Sequence, residues 1–145
     1  MARPEAWRLD PASYPHRTVI QTRFQDLDPL GHINNVAMAG LFETARVRFN
    51  RAMGLAGWHG HRWLVANITL NYLAESYFPE DLEVATGIGQ VGTRSWQILS
   101  AGFQKDECVA TCDAVIVMSG GGGATALAED FRAGLEANRV IRIGA

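Results

Sequence analysis

One long segment of this chain, residues 36–53, has the spacing of a helix, and most of the rest has the spacing of strands. Met38, Leu41, Phe42, Ala45, Phe49 and Met53 recur at steps of three and four, which puts them on one face of an α-helix. Asn34 or Asn35 can cap its start by accepting from an orphan N–H, and Gly54 is a stop signal. Gly40 inside the helix costs about 0.5–1 kcal/mol relative to alanine, so something is expected to pack closely there. An apolar stripe needs a second layer to bury it, so the segments around this helix decide the fold.

Those segments read as strands. Residues 17–24 are rich in β-branched side chains. Leu64, Ala66, Ile68, Leu70 and Tyr72 alternate with Val65, Asn67, Thr69 and Asn71, the clearest period of two in the chain. Residues 82–91, 93–104 and 108–118 follow at short separations, which favour antiparallel neighbours over helical crossovers. Residues 1–16 carry three prolines and are expected to form an irregular arm. Residues 120–123 are expected to be a flexible glycine run, and residues 126–137 a short C-terminal helix. The order predicts an α+β fold, one antiparallel sheet against one long helix, in a single domain over residues 1–145. A sheet covered by one helix still has edges and area to hide, so pairing with a second copy is expected.

Composition and decoy motifs narrow the function. The net charge is −2, from 13 basic and 15 acidic residues, which argues against a nucleic-acid protein. No run of 18 apolar residues exists, so no membrane span is expected. The first residues lack a signal-peptide core, so a cytoplasmic protein is expected, and the Asn67-Ile68-Thr69 sequon then carries no meaning. Cys108 and Cys112 fall on one predicted strand, about 13 Å apart, too far for a disulfide. They are expected to be buried thiols, with no zinc site. Gly87, Gly89 and Gly92 spell GxGxxG, but the following residues read as strand, so a strand end or bulge is expected rather than a dinucleotide cradle. The glycines at 120–123 lack a P-loop lysine, and no GxSxG is present. His59 and His61 have no third ligand nearby and are expected on a surface loop.

The chemistry concentrates in residues 24–35, Phe-Gln-Asp-Leu-Asp-Pro-Leu-Gly-His-Ile-Asn-Asn, and residues 41–46, Leu-Phe-Glu-Thr-Ala-Arg. A carboxylate on a turn stands just before a helix N-terminus, where unpaired N–H groups and a partial positive charge converge. Such donors can hold a developing oxyanion while the carboxylate attacks or activates water. Plainer roles exist for each residue. Asp28 before Pro29 can be a turn residue. Asp26 can brace the loop as an acceptor, and His32 can brace it too. Asn34 and Asn35 can be caps, and Glu43 with Arg46 can form a helix-surface pair of about 0.2–0.5 kcal/mol.

The run Asp-x-Asp-x-x-Gly-His-x-Asn-Asn followed by Phe-Glu-x-Ala-Arg resembles the 4-hydroxybenzoyl-CoA thioesterase-like branch of the hot-dog superfamily. Residues 65–73 are similar to that family's second strand, residues 77–84 to its turn into the third, and residues 92–95 to the entry of the fourth. The resemblance implies a hot-dog fold, an antiparallel sheet wrapped around one long central helix. It implies hydrolysis of an acyl-CoA thioester, with CoA as part of the substrate and no separate cofactor or metal. Asp28 matches the catalytic carboxylate, and Asn35 the position whose backbone N–H polarises the thioester carbonyl. Glu43 lies where related branches place a helix carboxylate. Gly31, His32, Asn34 and Met38 then fall at the substrate, and Arg94 and Lys105 are cations that CoA phosphates can meet. The family's site forms at a subunit interface, which implies a homodimer or homotetramer. Met38 stands where the family often has tyrosine, so with Gly40 nearby a roomier or differently shaped acyl pocket is expected. The alternative is a hot-dog protein that binds acyl-CoA or an acyl-carrier protein without turnover. A hot-dog hydratase would pair aspartate and histidine differently.

Overall fold

The computed structural model describes residues 3–54 and 62–144. Its elements are β1 (His16–Ile20), α1 (Asn35–Ala52), β2 (Arg62–Tyr72), β3 (Leu82–Val91), β4 (Ser95–Gln104), β5 (Glu107–Gly120), β6 (Gly123–Ala124) and α2 (Glu129–Glu136). The strands form one sheet in the order β1-β3-β4-β5-β2, with β6 added to β5, and every pair is antiparallel. α1 buries Met38, Leu41, Phe42, Ala45 and Phe49, so the period of three and four in the sequence is the face that meets the sheet. This is the expected α+β arrangement of one long helix against one antiparallel sheet.

The apolar contacts divide along the helix. Around Phe42 gather Ile20, Leu82, Val84, Val109 and Ala110. Around Phe49 gather Ile88, Trp96, Ile116, Phe131 and Leu135, the last two supplied by α2. Near-continuous burial along β3 and β4 has a further cause. The reverse face of those strands is covered as well, by Trp7 and Tyr14 packed on Ala85, Leu99, Ala101 and Phe103.

The N-terminal arm is therefore part of the folded body. It carries two 3₁₀ turns, Ala6–Leu9 and Pro11–Ser13, ahead of β1. Arg8 pairs with Asp113 at 2.6 Å and donates to Tyr14 Oη at 2.9 Å. Burial alone would lower the Arg8 pKa, but the Asp113 and Tyr14 contacts more than offset this and hold it above its ordinary value.

Several local expectations change. β1 stops at Ile20, and Phe24–Asp26 form a 3₁₀ turn rather than more strand. The Asp26 carboxylate imposes that turn by accepting from the Arg23 backbone at 3.3 Å and the Arg23 guanidinium at 2.8 Å. Residues 120–123 make the reversal between β5 and β6: Gly123 has φ +115°, which lets the chain return as β6. A Cβ on Gly40 would meet nothing within 4 Å, so among the described residues nothing packs against it. Glu43 and Arg46 form no pair. Arg46 turns inward, 8% exposed, and donates to Cys112 Sγ at 3.7 Å, while Glu43 is exposed. His59 and His61 lie outside the described residues.

Other expectations stand. A Cβ on Gly87 would lie 2.7 Å from Pro15 Cδ, and the β3–β4 register shifts between Ile88 and Val91. The glycine motif is thus a bulge under close packing. Cys108 and Cys112 are free and buried. Burial pushes the Cys108 thiol up to about 11 and raises that of Cys112. Among the described residues, no helix is long and apolar enough to cross a membrane.

Strand β2 departs from the rest of the sheet. It ends the strand order, so among the described residues its outer edge is unpaired, and Leu64, Val65 and Ile68 are 56%, 54% and 41% exposed. The alternation read from its sequence is real, but within one chain most of its apolar side chains are uncovered.

Candidate active site

The loop between β1 and α1 is built around one carboxylate. Asp28 N–H donates to the His32 carbonyl at 2.8 Å, and Gly31 N–H donates to the Asp28 carbonyl at 3.0 Å. Gly31 has φ +83°, a conformation that glycine takes without strain. Asp28 Oδ1 accepts from Leu30 N at 2.9 Å and His32 N at 3.1 Å. One carboxylate oxygen is thus fixed by backbone amides, and among the described residues the other has no hydrogen-bond partner. Two rungs tie the loop down on either side. Ile33 N–H donates to the Ser76 carbonyl, and Asn34 N–H to the Asp26 carbonyl, both at 2.8 Å. The Arg23 hydrogen bond is the main reason the Asp26 carboxyl sits below its ordinary pKa range.

The helix starts immediately afterwards. Asn34 caps it, its Oδ1 accepting from Ala37 N at 2.7 Å, and Met38 N–H makes the first helical bond to the Asn34 carbonyl at 3.0 Å. That leaves the amides of Asn35 and Val36 without an acceptor among the described residues. Tyr72, at the end of β2, donates its hydroxyl to the Asn35 carbonyl at 2.8 Å and so holds this first turn in place. Burial raises the Tyr72 pKa, which keeps the hydroxyl a donor.

Asp28 and Asn35 line one cavity of about 300 Å³, together with His32, Ile33, Met38 and residues 72–76. Asp28 and the first residue of an eighteen-residue helix, at its positive end, therefore border the same space. His32 Nε2 lies 3.2 Å from Glu75 Oε2, which also accepts from Tyr77 Oη at 2.8 Å. That hydrogen bond is the first cause of the raised Tyr77 pKa. Across α1 a second recess of about 480 Å³ is lined by Arg23, Asp26, Val36, Gly40 and Thr44.

Of the residues singled out from sequence, Asp28, His32, Asn35 and Met38 meet at the cavity. Gly31 and Asn34 shape it through backbone conformation and capping. Glu43 does not line it and lies eight residues down α1 from Asn35, about 12 Å along the axis. Arg94 is at the opposite end of the sheet. Its carbonyl accepts from Met118 N, whereas the cavity lies beside Tyr72, which pairs with Ala110. Eight residues of β5 separate those positions, about 27 Å. Lys105 sits in the left-handed β4–β5 turn, φ 48°, paired with Glu80 at 3.3 Å. Tyr72, Glu75 and Tyr77 were not singled out for the site. Tyr72 carries the signal of a polar tip at the end of an apolar alternation, and Glu75 carries none.

Comparison with known proteins follows the same lines. The family model of the thioesterase-like superfamily matches residues 22–135. A protein of Pseudomonas aeruginosa superposes with a TM-score of 0.78 at 28% identity, over 88% of this chain and 94% of its own. A thioesterase of Thermus thermophilus, solved in complex with coenzyme A and zinc, superposes with a TM-score of 0.77 at 27% identity, over 86% and 95%. A predicted thioesterase of Bacillus stearothermophilus gives 0.77 at 26% identity, over 86% and 96%. No curated protein matches the chain in sequence. Among the described residues, no group of three or more His, Cys, Asp or Glu side chains gathers as metal ligands.

Proposed function

The chain belongs to the thioesterase-like superfamily, and from that premise we propose that it hydrolyses an acyl-CoA thioester to the free acid and CoA. Asp28 Oδ2 either attacks the thioester carbonyl or takes a proton from the attacking water. The Asn35 amide, with the α1 dipole behind it, stabilises the oxyanion that forms. The observation that carries this reading is the shared cavity, in which a half-satisfied carboxylate and an uncommitted helix start face the same volume. The reading uses no cofactor beyond the CoA of the substrate.

The CoA end of the substrate requires cations, and among the described residues the cavity wall offers the carboxylates of Asp28 and Glu75 but no lysine or arginine. We propose that a second copy supplies them. The unpaired edge of β2, apolar and exposed, fits pairing with itself across a two-fold axis. Antiparallel pairing of two β2 edges brings the Trp63 end of one strand toward the Tyr72 end of the other. Arg94 belongs to the Trp63 end, because Met118 pairs with Trp63 and donates to the Arg94 carbonyl. In such a dimer, Arg94 of the second copy approaches the cavity that Arg94 of the same chain cannot reach.

Purified protein assayed against short, medium, long-chain and aromatic acyl-CoAs should release thiol with at least one of them. An Asp28→Asn protein that cleaves the best substrate at the unmodified rate would end the mechanism. Saturable acyl-CoA binding without thiol release would favour the non-catalytic reading. Sedimentation should give a dimer or a tetramer built from it, and Ile68→Glu should shift it toward monomer.

A further inference from the structure

We infer that Glu75 is a positioning residue for Asp28, acting through His32. The inference deepens the hydrolytic reading and rests on it for the effect on turnover, though not for the effect on the loop.

Glu75 Oε2 contacts two groups at once, His32 Nε2 at 3.2 Å and Tyr77 Oη at 2.8 Å. The imidazole also stands edge-on to the Tyr77 ring, 5.4 Å between centroids at 80°. His32 is therefore held by two side chains from the segment that follows β2. Its backbone does the rest, with its N–H on Asp28 Oδ1 and its carbonyl accepting from Asp28 N. Whatever fixes His32 fixes the carboxylate that its backbone N–H holds.

Stability alone does not explain the contact. The Glu75 side chain is 61% exposed, and an exposed pair contributes little to global folding. The same two segments are already joined by the Ile33–Ser76 backbone bond. Removing the Glu75 charge leaves that rung in place, so the fold persists while the loop that aims Asp28 loosens.

The experiment measures amide hydrogen exchange at Leu30 and His32, the two donors to Asp28 Oδ1, in the full-length protein and in Glu75→Gln and Glu75→Asp. Thermal melting checks that each variant is folded, and kcat and KM are taken on the best acyl-CoA. In Glu75→Gln, exchange at both amides should quicken about fivefold or more while distant core amides stay unchanged. Its kcat should fall about tenfold with KM within about twofold. Glu75→Asp should restore part of both, and adding Glu75→Gln to His32→Asn should cost nothing further. Unchanged exchange with a lower kcat would place Glu75 on the substrate itself and overturn the inference, as would a rise in KM alone. Faster exchange in a protein whose parent cleaves no acyl-CoA would sustain the clamp on Asp28 and sink the hydrolytic reading instead.

Discussion

The two ends of α1 meet the same sheet and solve opposite problems. At the Phe49 end the space between helix and sheet is filled. Trp96 stacks edge-on to Phe131 at 5.0 Å and to Trp63 at 5.8 Å, and α2 seals the end with Leu135. At the other end Met38 joins the core around Phe42 and also lines the cavity, so the packing stops there. A polar loop held by its own amides walls a cavity where another aromatic would fit. Closed packing and an open site cannot occupy the same volume, so the long helix separates them by length. The difference also assigns roles: the Phe49 end supplies rigidity, and the Asn35 end spends it on a carboxylate with one free oxygen.

Mutation at each end should break one property and spare the other. The largest effect is expected from Asp28→Asn, which keeps the size of the side chain and removes the base or nucleophile. Hydrolysis should fall by about 10²–10⁴-fold, while the melting temperature stays close to that of the parent. A variant that loses stability as much as activity would show that the carboxylate belongs to the packing after all. At the opposite end, Phe131→Ala should cost about 3–5 kcal/mol of stability through an aromatic cavity, measured by denaturant unfolding. The folded fraction should retain the parental kcat, because Phe131 lies with Phe49 and Trp96, far along the helix from Asn35.

Asn34 lies where the two properties meet, so it tests whether the division is sharp. Its side chain satisfies the Ala37 amide at the helix start. Asn34→Ala should cost about 1 kcal/mol of stability and also reduce kcat, because an uncapped first turn no longer holds the Asn35 amide steady. Asn34→Asp restores the acceptor and should recover the stability. Retained activity in Asn34→Ala would mean that the oxyanion donors lie elsewhere.

The filled end was legible in the sequence, and the open end only partly so. Burial writes a period into a sequence, and the steps of three and four from Met38 to Phe49 are the record of one helix face meeting one sheet. Asp28, Asn34 and Asn35 were readable for a local reason, since a turn, a cap and a helix start all lie within a few residues. Tyr72 and Glu75 reach the same cavity by the return of β2, with Tyr77 behind Glu75, and no spacing along the chain reports that. Distance along the chain does not report which end of an element a side chain serves. Glu43 shares the helix with Asn35 but not its end, and Arg94 of the same chain sits at the far end of the sheet. Trp7 and Tyr14 went unread as core because they bury from an arm without a period. Gly40 was read as a packing contact, yet its face of the helix is uncovered in one chain. The alternation in β2 does not report burial either, since side chains that look like core in sequence are exposed at an edge.

The smallest expected effect separates the loop's scaffold from its chemistry. Asp26 and Asp28 are two residues apart, but Asp26 is 3% exposed and bound to Arg23, whereas Asp28 faces the cavity. The Arg23 hydrogen bond lowers the Asp26 pKa in the folded protein relative to the unfolded chain. A depressed carboxyl pKa stabilises the fold at pH values above the unfolded carboxyl range of about 3.9. That contribution fades as pH falls through the unfolded value toward the folded one. Melting temperature should therefore drop as the solution is acidified below about pH 4–5, and Asp26→Asn should lower the neutral-pH stability and flatten part of that slope. If Asp26→Asn leaves both the neutral-pH stability and the slope unchanged, the Arg23–Asp26 contact does not brace the 3₁₀ turn, and the contrast between scaffold and chemistry has no boundary inside this loop.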